Sequence, residues 1–160
     1  MLVVADSSPL LVLINTEYID ILPKSFGQVV IPPEVSAELE QVKRPQPVRT
    51  FISSPPPWLI QRIPSVVEPI PMLHPGEVAA ISLALELHAD LLLIDEVLGR
   101  KAAAARSIRF TGTIGILEQA ADKGLLDLKD AFERIKKTDF WISHELLDTR
   151  LRLYQERKKI

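Results

Sequence analysis

The chain has 160 residues, 47% of them hydrophobic, which is enough apolar material for one sizeable core and predicts a single domain over residues 1–160. It contains no cysteine, which excludes a disulfide framework, thiolate-bound zinc, iron–sulfur clusters and thiol catalysis, and which fits a reducing cytoplasm. With 19 basic against 21 acidic residues it lacks the positive excess that binds nucleic acid by charge alone, so any such contact has to be local, metal-mediated or supplied by an oligomer.

Residues 1–15 are apolar, but they lack a basic start and carry Asp6 inside the run, so they read as a core strand and helix and not as a secretory signal. Leu2 to Ala5 predicts a strand ending at Asp6, and Ser8 predicts the cap of a helix whose first residue is Pro9. A short helix follows near 18–22, then a β-branched strand at 28–31, then a helix over 34–42 that Pro33 opens. Residues 43–75 hold nine of the thirteen prolines and no glycine. They predict stiff, extended chain with a helical turn or two near 48–52 and a short strand near 59–62.

Residues 77–87 predict a helix apolar nearly all round, and 90–95 a continuous apolar run of the kind found in buried parallel strands. A helix over 97–105, a short strand at 109–111 and a helix over 114–123 closed by Gly124 come next. Amphipathic helices over 126–137 and 143–158 complete the chain. Strands alternating with helices of this length predict an α/β fold of three layers, a parallel sheet with helices on both faces. No apolar run reaches the roughly 20 residues that cross a bilayer, so no membrane span is expected.

In an open parallel sheet, ligands bind beyond the carboxyl ends of the strands, which is where Asp6 and Asp95 fall. Each acid also has a local explanation. An Asp between strand and helix is often an N-cap, and Glu77 in a first helical turn is favoured by the helix dipole. Glu34, Glu38 and Glu40 fit a solvated helix face, and Glu96 fits either a first-turn residue or an acid supporting Asp95. Taken together, two strand-end Asp residues and a helix-start Glu offer the hard oxygen donors that Mg²⁺ or Mn²⁺ takes, and phosphodiester hydrolysis is the chemistry that follows.

Other catalytic patterns are missing: there is no Gly-x-Ser-x-Gly elbow, no Gly-rich phosphate loop, and His74, His88 and His144 are scattered. A receiver-type phosphoacceptor would want a paired acid after the first strand, where this chain has Ser7 and Ser8. Lys43 with Arg44, and Arg100 and Lys101 with Arg106, are the best local basic groups. Most such groups are solvated surface charge, but Arg100 and Lys101 follow Asp95 closely enough to be candidate contacts to RNA phosphates. Trp58 and Trp141 read as core or interface anchors. The apolar helix at 77–87, with Leu146, Leu147, Leu151 and Tyr154 on the last helix, exceeds what one thin sheet covers and predicts a homodimer or a partner-bound form.

The run Val4-Ala5-Asp6-Ser7-Ser8-Pro9-Leu10, followed by Ile31-Pro32-Pro33-Glu34-Val35-Ser36-Ala37-Glu38-Leu39, resembles the opening of PIN domains. Gly76-Glu77-Val78-Ala79-Ala80, Asp90-Leu91-Leu92-Leu93-Ile94-Asp95-Glu96 and Thr111-Gly112-Thr113-Ile114-Gly115 extend the resemblance over nearly the whole chain, the proline-rich middle matching least. The order and spacing are similar to a prokaryotic branch resembling the toxins of toxin–antitoxin pairs. The resemblance implies an acidic site of Asp6, Glu38, Glu77 and Asp95, with Asp6, Glu77 and Asp95 holding Mg²⁺ or Mn²⁺, Ser8 supporting it and Thr113 beside it. It implies a metal-dependent ribonuclease acting on RNA, with a cognate antitoxin as partner. The alternative is a PIN-like module that binds RNA or protein without cutting. Where many active PIN nucleases carry Asp as the third acid, this chain carries Glu77. Carboxylates gathered at one edge raise the pKa of at least one of them, and the repulsion is expected to be relieved in Asp95→Asn.

Overall fold

The computed structural model describes residues 1–159. Its elements alternate as predicted: β1 (Val3–Ala5), α1 (Ser7–Asn15), α2 (Ile21–Phe26), β2 (Val29–Ile31), α3 (Pro33–Glu40), α4 (Gln46–Ser53), β3 (Leu59–Gln61), α5 (Pro75–Glu86), β4 (Leu91–Leu93), α6 (Val97–Ala105), β5 (Phe110–Thr111), α7 (Thr113–Asp122), α8 (Leu128–Lys136) and α9 (His144–Lys158). The fold is a three-layer α/β arrangement around one parallel sheet, and the chain divides into two compact units, residues 1–113 and 114–160.

The first unit contains all five strands, in the order β3-β2-β1-β4-β5. Val3 pairs with Val29 on one side and Leu91 on the other, so β1 is central. Every residue of β1, β2 and β4 is buried, which requires both faces to be covered and explains why these strands are continuous apolar runs instead of alternating ones. Val4, Val30, Leu92 and Ile94 pack with Ala80, Ile81, Leu83 and Ala84 of α5 to form the core. The chain steps outward from β1 to β2 and β3, then returns past β1 to β4. The reversal falls between β1 and β4, and a strand order of this kind places its ligands at the carboxyl ends of those strands.

Several boundaries differ from the sequence expectation. Helix α1 begins at Ser7, so Asp6 and not Ser8 occupies the cap position, and Pro9 falls inside the first turn, where its missing N–H costs nothing. Helix α2 lies at 21–26 and not 18–22, because the chain leaves α1 through Glu17 at φ 64° and needs the next residues to turn before Ile21 and Leu22 can be buried. Helix α3 stops at Glu40, with Gln41 extended and Val42 exposed. Helix α4 runs a full eight residues, since Pro45 is its cap and Pro47 sits in its first turn, both tolerated positions. Helix α5 buries every residue from Gly76 to Ala84, so the apolar surface of that stretch is spent inside the unit. Trp58 is half-buried against Phe51, ring centroids 6.1 Å apart.

In the second unit, Leu128, Phe132 and Ile135 of α8 are buried, as is Leu147 of α9. Asp127 caps α8 through the Lys129 amide, and Ser143 caps α9 through the Leu146 amide. Arg150 on α9 pairs with Glu118, and Arg157 with Asp122, on α7. Trp141 is 97% exposed, so it is not a core residue, and Leu146 and Leu153 are also exposed.

Candidate active site

Asp6 leaves β1 with its amide donating to the Leu93 carbonyl at 2.9 Å, which ties it to the end of β4. It holds the cap position of α1, yet its side chain makes no capping hydrogen bond. The local explanation for an Asp at this point therefore fails. The residue is 3% exposed, and Oδ1 has no hydrogen-bond partner. Burial pushes its carboxyl from an ordinary 3.8 up to about 7; the Ser7 amide offsets part of the rise, while the charges of Glu38, Glu77 and Asp95 add to it.

Glu77 is the third residue of α5 and is 4% exposed. Its Oε1 accepts from the His74 amide at 3.0 Å, the glutamate half of a capping box. Its Oε2 is buried with no partner. One oxygen thus secures the helix start and the other is left over, so the local and the functional explanations both hold. Burial raises the Glu77 pKa, the His74 amide and side chain oppose the rise, and Glu96 and Glu38 add to it.

Glu38 and Asp95 are differently placed. Glu38 is turned away from the solvated face of α3: Oε2 accepts from Ser7 Oγ at 2.5 Å and Oε1 from the Gly76 amide at 3.0 Å. Asp95 accepts from Ser8 Oγ at 3.1 Å and from the Thr113 amide and Oγ1, each at 2.7 Å. Ser8 and Thr113 accordingly hold the Asp95 carboxylate in place. Glu96 is exposed at the cap of α6 and acts on Glu77 through its charge.

Glycines form a part of the site that pattern reading missed. A Cβ on Gly76 would fall on the Glu38 carboxylate; one on Gly99 would lie 3.2 Å from Glu77 Oε2 and 2.6 Å from Ile94 Cδ1. One on Gly112 would meet Arg100 Nη2 and stand 2.6 Å from Asp95 Oδ1. Gly76 and Gly99 sit in the first turns of helices, where glycine costs about 1 kcal/mol against alanine. That local disadvantage was the available signal. Ser7, the donor to Glu38, gave none.

The four predicted acids therefore share one edge of the sheet, near enough for Glu38, Glu77 and Asp95 each to raise the Asp6 pKa. Among the described residues, however, no three His, Cys, Asp or Glu side chains converge closely enough to enclose an ion. Glu38 and Asp95 are held to hydroxyls and amides, and the oxygens left over belong to Asp6 and Glu77. An unpartnered buried carboxylate oxygen is costly unless a proton or a cation compensates it. All four acids offer only oxygen, which suits a hard cation such as Mg²⁺ or Mn²⁺ and not a soft one. In donor type, though not in convergence, the residues fit such an ion.

A family model described as a PIN domain matches residues 2–156, running through both units. Neither the curated proteins nor the solved structures give a match. Among the described residues, no helix is long and apolar enough to cross a membrane.

Proposed function

Because the chain belongs to the PIN-domain family, a nuclease-type fold, we propose that it is a Mg²⁺- or Mn²⁺-dependent endoribonuclease that hydrolyses RNA phosphodiester bonds. The observation that carries this reading is the pair of buried, unpartnered oxygens, Asp6 Oδ1 and Glu77 Oε2, on the edge where the strand order reverses. Asp6 and Glu77 would hold the ion, with Asp95 contributing from the end of β4. Held there, a divalent cation would supply Lewis-acid polarisation of a phosphoryl oxygen and a more acidic water.

The chain's own residues set the stage for that chemistry. Ser8 and Thr113 fix the Asp95 carboxylate, Ser7 and the Gly76 amide fix Glu38, and the His74 amide fixes Glu77 through one oxygen while leaving the other facing the site. Orientation supplied by the fold in this way lowers the cost of assembling the reacting groups. The role of toxin beside a cognate antitoxin, in a reducing cytoplasm, accords with the sequence resemblance and the absence of cysteine. Exposed Leu146, Leu153 and Trp141 support a homodimer or a partner complex.

The lack of three convergent ligands among the described residues favours a second reading, a PIN module that binds RNA or protein without cutting. Purified protein incubated with structured RNA and Mn²⁺ separates the two. Cleavage that needs metal and falls at least about a thousandfold in a folded Asp6→Asn variant supports the nuclease. No cleavage by the parent, or full cleavage by the variant, supports the binding module.

A further inference from the structure

Arg100 and Lys101 are adjacent on α6, but only Arg100 is held. Its Nε donates to the Ile94 carbonyl at 3.0 Å, the residue just before Asp95, and its guanidinium carbon lies 5.7 Å from the centroid of the Phe110 ring. Arg100 thereby bridges the ends of β4 and β5 at the acidic edge. Lys101 is exposed, with no side-chain partner among the described residues.

Bracing Ile94 and Phe110 would use only Nε and the face of the guanidinium. Nη2 reaches further, over Gly112, toward Asp95 Oδ1, and among the described residues neither Nη group donates a hydrogen bond. No hydrogen bond or ion pair joins them to Asp95, whose oxygens accept from Ser8 and Thr113. Glycine at 112 is what leaves that space open, for any Cβ would collide with the guanidinium. The result is a cation already immobilised, with spare donors turned to an edge that is otherwise carboxylate. A planar fork fixed in this manner matches two non-bridging phosphate oxygens and loses little further freedom on binding them.

We propose that Arg100 is a substrate-binding residue that orients an RNA phosphate beside Asp95, and that Gly112 is required for it to do so. The inference rests on the ribonuclease reading. It explains how a chain of net charge −2 brings a polyanion to four acids: the local charge is a single, placed guanidinium.

The test measures affinity for a labelled single-stranded RNA across a KCl series in chelator, where no metal supports cleavage. Parent, Arg100→Gln, Arg100→Lys, Gly112→Ala and Arg109→Gln are compared, the last removing an exposed charge at the opposite end of β5. Loss of one phosphate contact should lower the slope of log K against log salt by about 0.7 in Arg100→Gln. Gly112→Ala should follow it although the arginine is still present, and Arg109→Gln should match the parent. Arg100→Lys should keep most of the slope but lose about tenfold in Mn²⁺-supported cleavage, because the fork is gone. If binding in chelator is too weak to titrate, the salt dependence of KM in Mn²⁺ is read instead. If Arg100→Gln does not fold, Arg100→Lys and Gly112→Ala decide the matter. An unchanged slope and unchanged cleavage in these variants, with a parent that binds and cuts RNA, overturns this inference alone. A parent that does neither overturns the ribonuclease reading and this inference with it.

Discussion

Asp6 and Glu77 are almost fully buried and each keeps one oxygen without a partner, whereas Glu38 and Asp95, less buried, have both oxygens engaged. Two donors hold Glu38 and three hold Asp95. The outer pair obeys the ordinary rule that buried polar groups are satisfied. The inner pair breaks it, and the burden of an uncompensated charge falls there. The four acids are thus not equivalent: the outer two are held by the scaffold, and the inner two are where a proton or a cation would contribute most.

A change of pH should act most strongly on the inner pair. The Asp6 pKa is raised in the folded protein, so its contribution to stability is fully present below the ordinary 3.8 and is lost as pH rises through about 7. Glu77 is raised as well and acts in the same direction. In chelator, unfolding free energies from denaturant titrations should therefore decline between about pH 4 and pH 7, by a few kcal/mol in all. The decline should be much shallower in Asp6→Asn. An equal decline in that variant would place the titrating group elsewhere.

Metal comes next. An ion that binds the folded site and not the unfolded chain stabilises by about 2.7 kcal/mol at a hundredfold excess over its Kd. Melting curves across a Mn²⁺ titration at constant ionic strength should rise for the parent, rise less for Asp95→Asn and stay flat for Asp6→Asn. A full response in Asp6→Asn would sink the assignment of the inner pair.

The smallest effect separates the two pairs by sign. Asp95→Asn keeps the shape of the side chain but replaces an acceptor with a donor facing the Ser8 and Thr113 hydrogen bonds, so in chelator it should cost about 2 kcal/mol. The sequence alone pointed the other way, to relief of repulsion at Asp95; the three donors around it reverse that expectation, and the relief belongs to Asp6. Above pH 7 in chelator, Asp6→Asn should be as stable as the parent or more so. Urea titrations of the two variants side by side check both signs, and a matching loss in each would erase the distinction.

What the sequence determined by itself was whatever local chemistry encodes. Continuous apolar triplets such as Val3–Ala5 and Leu91–Leu93 announce buried parallel strands, prolines mark helix starts, and Asp6 and Asp95 stand at strand ends because the strands stop there. Glu38 became a candidate through family resemblance, and nothing in its own helix separated it from Glu34 and Glu40. The tertiary structure decided the rest, since it depends on partners far apart in the chain: Ser7 to Glu38 across 31 residues, Gly76 to Glu38 across 38, Ser8 to Asp95 across 87. Those contacts fix which carboxylates are satisfied and which are not. They also separate Arg100 from Lys101, adjacent cations that local pattern treats alike, because only Arg100 reaches the Ile94 carbonyl and the Phe110 ring. Charge and position along the chain are local properties, but desolvation and hydrogen-bond satisfaction depend on everything that packs around a group, and only the folded chain supplies that.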